Sequence, residues 1–151
     1  MTKTEQPRLG SISHGTLRTY DLTSALAGTL DDYGVSLESV DGLTDALELD
    51  EDDEFWNSEE ASWLLERIED SLMDLAAPFT YFGAHPGDGS DYGFWPDFDA
   101  VDMARTDGEL PDTATVPEDY NGLSVDVNDH GNMAILSHDG AGNRTIVWDC
   151  V

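Results

Sequence analysis

The sequence predicts an α+β fold, with two or three N-terminal helices packed on a C-terminal antiparallel sheet of about five strands. Apolar residues recur at helical spacing before Pro78, whereas after it they alternate with small or polar residues, as they do in half-buried strands. Helices followed by a run of strands are typical of α+β proteins. The 151 residues suffice for one ordinary domain. We therefore expect a single domain over 1–151, with a flexible N-terminal segment over 1–12.

Three helices are predicted in the first half of the chain. Asp21 is a candidate N-cap for the first, in which leucines recur every four residues and which ends near Gly34. A shorter helix is expected within 40–47. The clearest helix covers about 59–76, with Ser58 as its N-cap. Its predicted apolar face consists of Ala61, Leu64, Leu65, Ile68, Leu72 and Leu75.

Five segments after these helices have the composition of strands. Residues 79–82 and 92–95 are rich in aromatic residues and flank the turn-rich segment 83–91. Residues 97–120 contain two prolines and scattered acids, which predicts a long surface connection. The remaining predicted strands are 123–127, 133–135 and 146–148.

The net charge of the chain indicates which classes of partner it can bind. Thirty-three Asp and Glu stand against six Lys and Arg, for a net charge of −27. The segment 21–78 is the densest part, with ten Asp and eight Glu against Arg67 alone. Such a surface repels nucleic acids and anionic membranes and attracts basic proteins. Direct binding of DNA or RNA is therefore not expected, because it depends on Lys and Arg contacts to phosphates.

No catalytic motif or targeting segment is recognised. The sequence contains no P-loop, no dinucleotide-binding glycine pattern and no G-x-S-x-G, so we expect a non-enzymatic protein without a cofactor. Cys150 is the only cysteine, which indicates a reducing compartment. Met1–Gly10 lacks the apolar stretch of a signal peptide, and no run is long enough for a membrane span. We expect a cytoplasmic monomer or homodimer.

The turn-rich segment 83–91 holds the best candidate for a chemical site. His85, Asp88 and Asp91 stand at three-residue spacing and offer ligands to a divalent metal, with His130 or His138 joining from the later turns. The spacing matches neither a calcium loop nor a H-E-x-x-H motif. We favour the alternative interpretation, a tight loop in which the aspartates hydrogen-bond turn amides.

The densest acidic run, 48–54, precedes a helix with a same-sign face. Glu66, Asp70 and Asp74 stand four residues apart, so they form a like-charge ladder in which each pair costs a few tenths of a kcal/mol. Solvated faces ordinarily mix charges of both signs, so this pattern indicates a surface for a basic partner. The predicted partner-binding residues are Glu51, Asp52, Asp53, Glu54, Glu59, Glu66, Asp70 and Asp74.

Five segments carry a resemblance to a known group of proteins. The most specific is Tyr81–Trp95 (YFGAHPGDGSDYGFW), followed by Val127–Asn132 (VNDHGN), with shorter matches at 13–22, 55–62 and 116–120. Together they resemble a group of small acidic proteins encoded by phages, prophages and plasmids. The resemblance covers nearly the whole chain. It implies that the protein is encoded by a mobile element, and it implies no particular activity.

Three functional hypotheses follow. The leading one is a binding protein of mobile-element type that docks its acidic face on a basic, nucleic-acid-binding host or rival protein, in its sharpest form as a DNA mimic that inhibits a defence protein. The second is a small metal- or ligand-binding protein that uses the loop His85–Asp91. The third is an accessory protein whose acidity reflects a salt-adapted host.

Overall fold

The computed structural model describes residues 8–150 and confirms the α+β class, with four helices and two three-stranded antiparallel sheets. Short 3-10 turns lie at Leu37–Ser39, Glu54–Asn57 and Thr113–Thr115. In chain order the helices and strands are β1 (Gly10–Ser13), α1 (Thr19–Asp32), α2 (Leu43–Leu47), α3 (Glu59–Leu75), β2 (Thr80–His85), β3 (Asp88–Pro96), α4 (Phe98–Asp107), β4 (Asn121–Val127), β5 (Met133–Asp139) and β6 (Arg144–Cys150).

The contacts within the chain divide it into two compact units. The first contains the residues up to Ala76 together with Tyr81–Trp95, and the second contains Ala77–Thr80 together with the residues from Pro96 onward. The first unit therefore holds α1 to α3 and nearly all of the sheet β1-β3-β2. The second holds α4 and the sheet β4-β5-β6. The expectation of one domain stays a prediction.

The core of the first unit is built on α3, as its apolar spacing predicts. Ala61, Leu64, Ile68 and Leu72 are buried and pack with residues of α1, α2 and the sheet, while Leu65 and Leu75 are partly buried at its edge. Fully burying a side chain such as Leu or Ile contributes about 1.5–3 kcal/mol, so this face holds the helix in place.

The start of α1 differs from the prediction. The helix begins at Thr19 with Arg18 at the N-cap position, and no side chain caps it. Asp21 lies inside the first turn, where its carboxylate accepts a hydrogen bond of 2.7 Å from the Thr16 hydroxyl. The assignment of Asp21 as the cap was therefore wrong. Its carboxylate still lies at the positive end of the helix dipole.

One five-stranded sheet is predicted, whereas the structure has two sheets of three strands. The aromatic strand β3 lies between β1 and the other aromatic strand, β2, and Phe82 and Phe94 join the helix core of the first unit. Gly10, Ser11 and Ile12 were placed in the flexible segment but belong to β1; residues 1–7 of that segment lie outside the described residues.

The pairing of β1 with β3 depends on a close backbone approach. Gly10 lies opposite Phe94, and Ser11 lies opposite Gly93. A Cβ atom on Gly93 would clash with the backbone of Gly10, so a side chain at this position would force the two strands apart.

The second unit contains the three predicted C-terminal strands. β4 and β6 flank β5 in an antiparallel sheet with a register shift between Ile135 and Leu136. Val125, Ile135 and Trp148 are buried. The indole N–H of Trp148 donates to the backbone carbonyl of Pro78 at 2.7 Å.

The predicted surface connection 97–120 contains a helix instead. Asp97 caps α4 by accepting from the backbone N–H of Ala100 at 3.0 Å, and Gly108 ends it with a left-handed backbone conformation, φ 80°. Val101 and Ala104 are buried on its inner face. The assignment was wrong because only this narrow face is buried, and the other positions are polar or exposed.

No helix in the described part of the chain is both long and apolar enough to cross a bilayer.

Replacing Ile68 with alanine tests the core of the first unit. The side chain is fully buried, so Ile68→Ala should lower the free energy of unfolding by about 2–5 kcal/mol through lost burial and the resulting cavity. Chemical denaturation measures this. Ser62→Ala, on the exposed side of the same helix, should change stability by no more than about 0.5 kcal/mol. Equal effects from the two substitutions would contradict this packing of α3.

Candidate functional site

The acidic run is fixed by the tryptophan that follows it. The indole N–H of Trp56 donates to the backbone carbonyl of Asp50 at 3.0 Å, and the ring is buried. Tyr20 and Phe55 pack edge-on against this ring, with centroids 5.2 and 5.1 Å away. The Asp53 carboxylate accepts from the backbone N–H of Phe55 at 2.9 Å and caps the 3-10 turn. The run is therefore attached to the core.

The acidic helix α3 begins at a cap that the sequence predicts. The Ser58 hydroxyl accepts from the backbone N–H of Ala61 at 3.3 Å and donates to the carbonyl of Phe55 at 2.6 Å. Glu59 and Glu60 lie in the first turn, where the helix dipole stabilises negative charge. The same bonds link the helix to the 3-10 turn before it.

Acids continue to the other end of α3, where the dipole disfavours them. Asp74 lies in the last turn, which has no basic residue. It is also four residues from Asp70, which is four residues from Glu66, so each neighbouring pair repels. Neither helix propensity nor the dipole accounts for these three acids.

The structure places all the predicted partner-binding carboxylates on the surface of the first unit. Each of them is exposed, four in the acidic run and its 3-10 turn and four on α3. The eight residues are Glu51, Asp52, Asp53, Glu54, Glu59, Glu66, Asp70 and Asp74.

Two arginines modify the charge of this surface. Arg18 lies 3.7 Å from the Glu51 carboxylate and 3.8 Å from that of Asp21, with its own side chain 60% exposed. Ion pairs this exposed contribute little, about 0–1 kcal/mol. Arg67 is the only base on α3, and its guanidinium donates to the backbone carbonyl of Asp41 at 3.1 Å.

Glu69 shows the electrostatic consequence of this arrangement. Its pKa is raised, first because the carboxyl is half-buried and then because Glu66 and Asp70 repel its negative charge. Like-charged neighbours and desolvation both favour the neutral form. The acidic face therefore carries a cost in stability that mixed charges would not impose.

The loop considered for metal binding uses its side chains to hold the β2–β3 turn. The Asp88 carboxylate accepts from the backbone N–H and the hydroxyl of Ser90 at 3.0 and 2.9 Å, and these bonds lower its pKa. Nδ1 of His85 accepts from the backbone N–H of Gly87 at 2.9 Å. The imidazole also packs edge-on against Trp95, with centroids 4.7 Å apart. These contacts fit the tight-loop interpretation.

A ligand cluster for a metal ion is not found in residues 8–150, where no three His, Cys, Asp or Glu side chains are grouped suitably. His130 lies in the β4–β5 turn, where its backbone N–H donates to the Asn128 side chain at 2.9 Å. Oδ1 of Asp91 is buried and has no hydrogen-bond partner in the described chain. The metal hypothesis thus has no coordination geometry behind it.

The sequence did not reveal a hydrogen-bonded chain in the second unit. Ser124 Oγ lies 2.7 Å from Nε2 of His138 and 2.7 Å from the Thr113 hydroxyl. A serine beside an imidazole resembles the start of a nucleophilic arrangement, but Ser124 is 0% exposed. A substrate cannot reach this hydroxyl in the folded chain. The interactions satisfy a buried polar group and attach a 3-10 turn to β4 and β5.

Comparison with known proteins gives no relative: neither a protein-family model, nor a curated protein, nor a solved structure matches this chain. The candidate site is therefore defined by its geometry and charge alone. It consists of the acidic run, its tryptophan anchor and the exposed face of α3.

Neutralising Glu69 should stabilise the protein. Because the pKa of Glu69 is higher in the folded than in the unfolded chain, its ionisation disfavours folding as pH rises through the folded-state value. Glu69→Gln should raise the free energy of unfolding at neutral pH, with an advantage that shrinks as pH falls toward the ordinary glutamate pKa. Urea denaturation across this pH range measures it. A variant less stable than wild type at neutral pH would contradict the expectation.

Asp88→Ala should have the opposite pH dependence. The folded-state pKa of Asp88 is lowered by the Ser90 hydrogen bonds, so its carboxylate stabilises the fold above the ordinary aspartate pKa. That contribution is lost as pH falls through the folded-state value. Thermal unfolding should therefore show a destabilised variant at neutral pH that approaches wild type in acid. Asp52→Ala, at an exposed position, is the matched control. A pH-independent difference would show that the hydrogen bonds to the charged form do not matter.

Proposed function

We propose that this protein is a non-enzymatic binding protein of mobile-element type, acting in the cytoplasm of a host cell. Its acidic face, made of the acidic run and α3, docks on a basic protein that ordinarily binds nucleic acid. In its most specific form, the proposal is that it inhibits a defence or regulatory protein by occupying the DNA-binding cleft of that protein. Opposite charges steer such an encounter and fix its register.

One observation carries the proposal: the eight exposed carboxylates lie on anchored backbone. The Trp56–Asp50 bond attaches the run to the core, and the Ser58 cap attaches α3 to the same segment. A partner that docks on this face does not have to order it first, so binding loses less conformational entropy than binding of a disordered acidic tail.

Imitation of DNA requires carboxylates spaced like the phosphates of a duplex or of one strand. Successive acids of the Glu66, Asp70 and Asp74 ladder are about 6 Å apart along the helix, since each residue rises about 1.5 Å. Duplex DNA carries one phosphate per about 1.7 Å of axis, or about 3.4 Å per strand. The ladder alone is therefore too sparse. All of α3, with six acids and one arginine, has roughly one net charge per 5 Å, which is still sparser than a single strand.

The competing explanation for the acidic face is that the whole protein is acidic, and the composition is consistent with it. The first unit has twenty-one acids and four bases, a net charge of −17. The second has twelve acids and two bases, a net charge of −10 in a shorter segment. The two units are similarly acidic per residue. Support for the proposal therefore comes from the arrangement on α3 and not from the amount of charge, and the second unit supplies the control.

Charge reversal on α3 tests the proposal. Immobilised wild-type protein is exposed at moderate salt to a nuclease-treated host extract, and the captured proteins are identified and competed with duplex DNA. A basic nucleic-acid-binding protein should be captured and released by the duplex. The triple substitution Glu66→Lys, Asp70→Lys and Asp74→Lys should weaken its binding by about tenfold or more and reduce its salt dependence.

The matched control reverses three exposed acids of the second unit. Asp102→Lys, Asp107→Lys and Asp126→Lys change the net charge by the same amount. This variant should bind within about twofold of wild type. If the two triple variants lose binding equally, the negative charge acts diffusely and the proposed face is wrong. If the extract yields no basic partner at all, the accessory role in a salt-adapted host becomes the better explanation.

A further inference from the structure

One of the four tryptophans differs from the others in its surroundings. The indole N–H groups of Trp56, Trp95 and Trp148 each donate to a backbone carbonyl at 2.7–3.0 Å. Trp63 has no hydrogen bond or ring contact with the described residues, and 52% of the residue is exposed. A large aromatic side chain on a highly charged helix is costly to expose and is a common centre of protein interfaces.

Trp63 lies within the acidic face of α3. It is four residues after Glu59, three before Glu66 and seven before Asp70, so these side chains lie on the same side of the helix. All three acids are exposed. The indole is therefore bordered by carboxylates in both directions along the helix.

A cleft of about 290 Å³ opens beside this indole. Its lining combines the aromatic residues Phe55 and Trp63 with the acidic residues Asp41 and Glu60, and includes the buried Leu64. The volume is just below the range for drug-sized ligands, about 300–1,000 Å³. It suits a single side chain better than a cofactor.

We propose that this cleft takes one arginine side chain of the basic partner, with its guanidinium stacked on the Trp63 ring and facing the nearby carboxylates. The arginine cleft rests on the proposed function, because it specifies which side chain of the basic partner the acidic face binds. The planar guanidinium is weakly hydrated, stacks on aromatic faces and forms bidentate bonds with carboxylates. The compact, strongly hydrated ammonium of lysine gains less from the same ring. The acidic face thus attracts any basic surface, whereas the cleft distinguishes arginine.

Arg67 lines the same cleft and opposes a cationic guest. Its guanidinium is engaged by the Asp41 carbonyl at 3.1 Å, which holds it at that side. The surrounding acids still outnumber it, since α3 alone has six acids and one base. If the guest is an arginine, the positive charge of Arg67 weakens its binding. If the guest were a carboxylate, the same charge would strengthen it.

The test compares an oligoarginine and an oligolysine peptide of equal length, each labelled and titrated with the full-length protein by fluorescence anisotropy. Wild type should bind oligoarginine about two- to fivefold more tightly, as expected of a cation–π contact at an exposed site. Trp63→Ala should reduce oligoarginine binding to the oligolysine level, and Trp63→Phe should retain part of the preference. The salt dependence should stay unchanged in both variants, because neither alters the charge.

Two controls separate this inference from general effects. Phe98→Ala removes a ring of matched exposure, 51%, from the second unit and should leave the preference intact. Arg67→Met should strengthen oligoarginine binding; weakened binding would point to an anionic guest and overturn the proposal. Thermal melting of each variant confirms that it is folded.

The failures of the two proposals are distinguishable. If wild type binds both peptides equally, or if Trp63→Ala keeps the preference, the arginine cleft is wrong. The proposed function survives that result as long as the α3 triple reversal weakens both peptides. If the triple reversal affects neither peptide, the acidic face does not bind cations and both proposals fall.

Discussion

The hydrogen bond from the Trp56 indole to the Asp50 carbonyl is the constraint on which the acidic face depends. Six of the seven residues in the run 48–54 are exposed acids, and their mutual repulsion favours no single conformation. The buried Trp56 ring, packed between Tyr20 and Phe55, supplies that restraint. It converts a segment with the composition of a disordered tail into part of a folded surface.

The same region shows how stability is balanced against charge. The inner face of α3 contributes a core of leucine, isoleucine and alanine, while its outer face retains acids at both ends of the helix dipole. Glu69 is at the boundary between the two faces, and its raised pKa reflects both burial and repulsion by its neighbours. Burial of the inner face contributes several kcal/mol, whereas each like-charge pair costs a few tenths of a kcal/mol. The helix is therefore stable although its acidic face is unfavourable.

Charge and shape have different roles on this surface. Carboxylates in a solvent-exposed ladder attract basic proteins at a distance but distinguish poorly among them. The cleft between Phe55 and Trp63 is small and partly apolar, so a group that enters it loses water and must fit. In the proposed function, the long-range field attracts a basic protein and the desolvated anchor adds selectivity, so the surface does not have to imitate DNA in atomic detail.

Local signals in the sequence determined the fold class, α3 with its Ser58 cap, the aromatic strands and the exposure of the acidic residues, because each depends on spacing within one segment. Asp97 and Gly108 also marked the ends of α4, but its polar composition hid the helix. Only tertiary structure decided that Gly10–Ser13 pairs with β3, that six strands form two sheets, and that Ser124 meets His138. Those features join residues far apart in the chain, and no periodicity within a segment encodes them.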